Sequence, residues 1–200
     1  MNAPAKRLRV FLAGEGANDL GGWAAHRSYR RPERPGVLEA LIRKVTDSGW
    51  VICEAKTWAS VKKLRVGRDH ADIHNVLALA LDAYEAECHV LVFSRDQDND
   101  QYRAEAIADG IALAEARYGN SVSIVGGLAV RKLEAWILAL KGERRSEEPA
   151  CPEDRLAKLG VPRKDTRAMV ECVESADLAS LPEDAKSLRA WIALAQRRFC

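Results

Sequence analysis

The chain has 200 residues, 48% of them hydrophobic and 30% charged, with a formal net charge of only +2. That balance is ordinary for a soluble globular protein long enough to bury its own core, and no apolar run approaches membrane-spanning length. A net charge this small creates no global field for nucleic acid, so any such contact has to come from a local patch.

The five cysteines (Cys53, Cys88, Cys151, Cys172 and Cys200) are scattered and form no C-x-x-C. Cys53 and Cys88 lie in apolar runs and read as small buried hydrophobes. This usage fits a reduced, cytoplasmic setting rather than a disulfide framework. Met1 to Lys6 is too short and polar to read as a signal peptide.

Leu8 to Ala13 is a β-rich run and the expected first strand, and it runs into Gly14-Glu15-Gly16. Glycines on both sides of Glu15 allow a tight turn that leaves the carboxylate at the C-terminal mouth of the strand. Ala17 to Ala25 is expected as a short helix, with Asp19 one turn beyond Glu15. His26 to Arg34 is a loop carrying Arg27, Arg30, Arg31 and Arg34 around Tyr29. Basic residues interleaved with an aromatic suit phosphate and base contact, and the plainer alternative is a solvated surface loop.

A helix is expected over 37–47 and a second strand over 50–53, ending at Glu54. A second basic patch follows, with Lys56, Lys62, Lys63, Arg65 and Arg68 around Trp58. His70 to Glu87 has strong helical periodicity. His70 and His74 fall one turn apart, but without an H-E-x-x-H pattern they read as surface or capping residues rather than ligands.

The third strand opens at His89, and its apolar run Val90 to Phe93 ends in Ser94-Arg95-Asp96-Gln97-Asp98-Asn99-Asp100. In an extended segment alternate side chains point the same way, so Asp96 and Asp98 are expected to project together. Oxygen-rich clusters of this kind suit a hard divalent cation, Mg2+ or Mn2+, and the alternative is a solvated acidic turn. A helix is expected over 99–118 and a fourth strand over 121–125, closed by Gly126-Gly127. Leu128 to Leu140 is read as a helix, apolar all round in its second half, that carries Glu134. A carboxylate there is costly unless it faces a metal or pairs, for instance with Arg131 one turn back. Lys141 to Pro152 reads as a linker, and short helical pieces follow it.

Strands alternating with helices four times argue for a parallel sheet with helices on both faces. In open α/β sheets ligands bind outside the carboxyl ends of the strands, where Glu15 and Asp96/Asp98 converge. Glu-Gly after a first strand, followed by a strand ending in D-x-D, resembles the Toprim fold of topoisomerases, primases and OLD-type nucleases. Ala129-Val130-Arg131-Lys132-Leu133-Glu134-Ala135-Trp136-Ile137-Leu138-Ala139 resembles the late helix of small stand-alone Toprim-like proteins, including the RloB-like group. Those are often encoded beside an ABC/AAA-type ATPase in defence settings.

The resemblance spans about residues 8–140. It implies a Toprim-like α/β domain over 1–142, and the short helical pieces beyond it are read from the residues as a helical C-terminal extension over 143–200 packed on that domain. It also implies Glu15 as general acid/base or metal ligand, Asp96 and Asp98 as catalytic metal ligands, and Asp100 and Glu134 as further metal-site residues. The sequence departs from the OLD pattern at Asn18, where a second glutamate is usual and Asp19 follows instead.

Three functions compete. The first is a Mg2+- or Mn2+-dependent endonuclease, with Arg27, Arg30, Arg31, Lys62, Lys63 and Arg131 holding nucleic acid, DNA ahead of RNA. The second is a non-catalytic or regulatory subunit that docks a partner ATPase. The third, a dinucleotide-binding protein on Gly14-x-Gly16, lacks the third glycine and places Glu54 well beyond the roughly 20-residue spacing of a ribose contact. No membrane association is expected, and an oligomer is compatible with every reading.

Overall fold

The computed structural model describes residues 7–24, 34–46, 49–61, 70–148 and 150–199. Its frame is one sheet of four strands: β1 (Leu8–Gly14), β2 (Trp50–Thr57), β3 (Val90–Asp96) and β4 (Ser123–Ala129). The strand order is β2-β1-β3-β4 and every pairing is parallel. The protein is therefore α/β with an all-parallel sheet and helices on both faces, the fold class expected from the alternation of elements.

The central strands explain their own sequence. Along β1 and β3, Val10, Leu12, Val90 and Val92 enter one core while Phe11, Ala13, Leu91 and Phe93 enter the other. A strand buried on both faces reads as an unbroken apolar run rather than an alternating one. The Phe11/Phe93 face is covered by α3 (Ala71–Glu85) and α4 (Arg103–Tyr118). The opposite face is covered by α2 (Val37–Val45), α5 (Leu133–Leu140), α6 (Pro152–Lys158), α7 (Thr166–Ser175) and α8 (Lys186–Phe199). The C-terminal helices thus share a hydrophobic core with β1 and β3. Met169, Val170 and Val173 of α7 and Leu188, Trp191 and Ile192 of α8 are buried there beside Val10 and Val92.

Two tryptophans fasten this layer with polar contacts as well as area. Trp191 Nε1 donates to the Phe93 carbonyl at 3.0 Å, and Trp136 Nε1 donates to Ser187 Oγ at 2.7 Å. Ser187 Oγ in turn donates to Glu147 at 2.7 Å. The two indoles also pack together, with ring centroids 5.8 Å apart. Each buried N–H that finds an acceptor removes a desolvation cost of about 1–3 kcal/mol.

Several boundaries differ from the sequence reading, each for a local reason. β4 does not stop at Gly126-Gly127 but runs through both glycines to Ala129, so α5 starts at Leu133 rather than Leu128. Gly126 is there for clearance, since a Cβ on it would lie 2.1 Å from the Phe93 ring, whereas one on Gly127 would make only ordinary contact, 3.4 Å from Trp191. The helix expected after Asn99 begins at Arg103. After β1 only α1 (Ala17–Leu20) is α-helical, and the chain tightens into a 3-10 turn at Gly21–Ala24. Gly14 makes α1 possible at that place, since a Cβ there would lie 2.4 Å from the Asp19 Cβ.

The glycine pair gives a paired expectation. Gly126→Ala should lower stability by about 1–3 kcal/mol through overpacking against Phe93, whereas Gly127→Ala should stay within about 0.5 kcal/mol. Urea denaturation of the two variants beside wild type measures both, and equal losses would contradict the clearance argument.

Candidate active site

β1 and β3 are neighbours, yet the chain leaves β1 towards β2 on one side and reaches β3 on the other. That makes the gap beyond their C-terminal ends the topological switch point of the sheet, where α/β proteins place ligands. Glu15 follows β1 directly and Asp96 is the last residue of β3. The Asp96 backbone N–H approaches Glu15 Oε1 at 3.4 Å. Between them opens a cleft of about 290 Å³ lined by Glu15 to Asp19, Asp96, Leu133, Glu134 and Lys164.

Four carboxylates therefore meet at one mouth. Asp96 Oδ1 accepts from the Leu133 N–H, the first residue of α5, at 2.9 Å. Burial pushes the Asp96 carboxyl up to about 8, and its neighbours Asp19, Glu15 and Glu134 push the same way. Asp19 is raised to about 6, chiefly by burial, against hydrogen bonds from Ser94 and the Gly16 N–H. Ser94 Oγ donates to Asp19 Oδ1 at 2.6 Å and is itself fully buried. Glu134 is also raised by burial, with Asn18 Nδ2 donating to its Oε1 at 3.4 Å. Like charges brought out of water disfavour ionisation of each member.

The expected aspartate pair does not form. Asp98 adopts a left-handed backbone conformation, φ 50°, which ends the alternation that would have aimed it beside Asp96. Its N–H donates to the Arg131 carbonyl at 3.0 Å, and its carboxylate takes Arg103 Nη1 at 3.0 Å outside the cleft. Asp100 likewise faces His70 Nε2 at 2.9 Å, a contact that holds its carboxyl below the usual range. Arg103 organises this loop, donating to the Asp96 and Gln97 carbonyls at 2.7 and 3.0 Å and to the buried Asp72 at 3.0 Å. Asp98 and Asp100 thus belong to an ion-pair network around Arg103, not to the cleft.

The remaining expectations sort as follows. Glu134 does line the cleft, and it is Asn18 rather than Arg131 that meets its carboxylate. Arg131, at φ 68°, serves the D-x-D loop through its carbonyl. His70 caps α3, its Nδ1 accepting from the Asp72 N–H at 3.2 Å, which is the capping role read from the sequence. In the second basic patch, Lys56 is paired with Asp82 at 2.6 Å. Trp58 is buried edge-on against Phe93 and donates to the Ser94 carbonyl at 2.7 Å. Arg27, Arg30, Arg31, Lys62 and Lys63 lie outside the described residues.

Sequence reasoning missed Asp19 as a member of the site, along with Ser94, Arg95 and Lys164. Asp19 carried a signal: it stands four residues after Glu15 across a glycine, the spacing that returns to one side of a helical turn. Lys164 carried none, because it reaches the rim from the loop between α6 and α7, far along the chain.

The donor set suits a hard divalent cation in kind: carboxylate oxygens, partly desolvated, with an excess of negative charge that a cation would relieve. Among the described residues, however, no three histidine, cysteine or carboxylate side chains stand close enough together to hold a metal ion as they are placed. Glu15 in particular is ion-paired with Arg95. Asp96 is the residue that would anchor a cation, with Asp19, Glu15 and Glu134 in reach of the same cleft. No family model, curated protein or solved structure matches the chain. Among the described residues no helix is long and apolar enough to cross a membrane.

The raised carboxyls fix a pH dependence. Unfolded, Asp96 titrates near 4; folded and without a cation, near 8. Between those values the folded state holds more protons, so stability is highest at the acid end and is lost as pH rises towards 8. Each unit of raised pKa corresponds to about 1.4 kcal/mol, so the loss should reach a few kcal/mol. Thermal melts in EDTA from pH 5 to 9 should show this decline, and Asp96→Asn should flatten most of it. A variant melting in parallel with wild type across that range would remove Asp96 from the acidic centre.

Proposed function

We propose that this cleft binds Mg2+ or Mn2+ and acts in phosphodiester hydrolysis, as a metal-dependent nuclease of the Toprim-like kind that the sequence motifs resemble. The observation that carries this reading is the gathering of Glu15, Asp19, Asp96 and Glu134 at the β1/β3 switch point, with Asp96 held protonated near neutrality. Four buried or half-buried carboxylates are a costly arrangement for architecture alone, and a cation offsets that cost.

A bound divalent ion would supply an activated water and neutralise charge on the scissile phosphate. The chain supplies the rest. Asp96 is fixed by the α5 N-terminus and must surrender its proton to take up a cation. Ser94 and Gly16 hold Asp19 in place, and Asn18 orients Glu134. Thr166 at the start of α7 donates to Asn18 Oδ1 at 3.0 Å, so the C-terminal helices stiffen the same wall. Lys164 at the rim, and Arg27, Arg30, Arg31, Lys62 and Lys63 elsewhere, would contact phosphates without reading sequence.

The second reading is a non-catalytic subunit that docks a partner ATPase. One observation favours it: Asp98, Asp100 and Glu15 are each already ion-paired with an arginine, Arg103 for the two aspartates and Arg95 for Glu15.

Two measurements on one preparation separate the readings. Calorimetric Mn2+ titration near pH 7 should show binding with proton release, seen as a dependence of the heat on buffer ionisation enthalpy, and Asp96→Asn should lose both. Incubation with supercoiled plasmid and labelled DNA and RNA oligonucleotides should give cleavage with Mg2+ or Mn2+ that EDTA and Asp96→Asn abolish. Binding without cleavage favours the subunit reading. Absence of both contradicts metal-dependent hydrolysis in this cleft.

A further inference from the structure

Arg95 stands one residue before Asp96 and outside the cleft lining, yet it holds the first acidic group of the site. Its guanidinium is ion-paired with Glu15, whose side chain is otherwise one-third exposed to the cleft. It also lies over the Trp58 ring at 5.2 Å, and Trp58 is anchored by its bond to the Ser94 carbonyl. Behind it sits Asp72, only 4% exposed at the start of α3, with Oδ1 3.6 Å from Arg95 Nε. That separation is an ion pair but too long for a hydrogen bond, and Arg95 Nε is a buried nitrogen with no hydrogen-bond partner. Asp72 Oδ2 meanwhile accepts from Arg103 Nε at 3.0 Å, and Oδ1, the oxygen that faces Arg95, accepts from Asn75 Nδ2 at 3.1 Å.

The arginine therefore stands between two carboxylates, hydrogen-bonded to Glu15 and ion-paired with Asp72 without a hydrogen bond. A buried donor without an acceptor calls for an explanation, and one is a second position in which the bond is made. Planar guanidinium groups suit such exchanges, since one fork can serve either carboxylate with little reorganisation.

We propose that Arg95 is a built-in counter-ion for the acidic cleft: it occupies Glu15 when no cation is bound and passes to Asp72 when a divalent cation draws Glu15 into the site. The inference rests on the metal-centre reading of the cleft and names the regulation of that centre. Without a cation the pair with Arg95 lowers the local negative charge and holds Glu15 Oε1 on the guanidinium. On cation binding the Glu15 carboxylate leaves the guanidinium for the cation, and Arg95 shortens its 3.6 Å approach to Asp72, satisfying Nε. Arg95 and the cation compete for one carboxylate, and Asp72 sets how readily Arg95 lets go. Since each binding equilibrium depends on the state of the other, the coupling has a definite sign at each residue.

The test uses the full chain and MnCl2 alone, with affinity read by calorimetry and folding checked by circular dichroism and melting. Arg95→Gln frees Glu15 and should tighten Mn2+ binding at least about fivefold. Asp72→Asn removes the second seat, leaves Arg95 on Glu15, and should weaken binding by a similar factor. Arg95→Lys keeps a charge but loses the fork, and should give the sign of Arg95→Gln at reduced size, which preserves the test where Arg95→Gln fails to fold. A purely structural ion pair would instead lower the melting temperature in each variant and leave Mn2+ affinity alone. Folded variants whose affinity matches wild type, or moves the same way for Arg95→Gln and Asp72→Asn, overturn the exchange while leaving the metal centre standing. Binding by Arg95→Gln where wild type shows none supports it. Absence of Mn2+ binding in wild type and every variant overturns both the exchange and the reading it rests on.

Discussion

Parallel pairing of β1 with β3 forces the chain to leave the sheet twice at one place. The register Ala13↔Phe93 puts the turn after β1 beside the end of β3, so the acidic residue each carries emerges within reach of the other. Much of the local structure follows from keeping those carboxylates together. Gly14 lacks a Cβ so that Asp19 can fold back into the mouth, Ser94 is buried to donate to Asp19, and α5 begins at Leu133 with its first N–H on Asp96. Arg95 and Arg103 lie on the far side of the same loop and balance the charge there. Without this constraint few of these residues would have a reason to be where they are.

The acidic mouth is also where the energetic costs of the fold gather. Asp72, Asp19 and Ser94 are among the few polar side chains buried in the described residues, and all three stand at or beside the ends of β1 and β3. Buried polar groups that are fully satisfied rigidify a structure, and a partly satisfied one marks a place where the arrangement can change. Asp19 falls in the first class, with two donors on its carboxylate. Arg95 falls in the second, with an unmet Nε. Rigid acceptors next to one poorly satisfied donor make a site that can alter its charge balance without moving its backbone.

The sequence was informative wherever one residue's environment is set by its near neighbours. The doubly buried strands β1 and β3 were legible as apolar runs, Glu15 as a carboxylate on a glycine turn, and α5 as a helix apolar all round. It was silent or misleading where a distant partner decides. Gly126-Gly127 reads as a stop, but Phe93 and Trp191 turn it into the middle of a strand. Asp98 reads as the twin of Asp96 until its backbone turns left-handed to reach the Arg131 carbonyl. Lys56 and Trp58 read as a nucleic-acid patch, yet Asp82 and Phe93 take them. Lys164 reaches the cleft from a segment whose sequence says nothing of it.

The bond from Trp191 to the Phe93 carbonyl spans 98 residues of chain. It closes a core that also joins Val10 and Ala195, so the second face of the sheet is assembled from the two ends of the described sequence. Contacts of such separation carry a loop-closure cost that must be met before they contribute stability, which slows folding. On the ribosome, β1 and β3 emerge well before α8, and the cover that α2, α5, α6 and α7 give one apolar side of the central strands stays incomplete for that interval. An incompletely covered parallel sheet is prone to aggregate. The yield of folded protein should therefore depend on how fast the last helix arrives, and nascent chains stalled before Trp191 would be natural clients of chaperones.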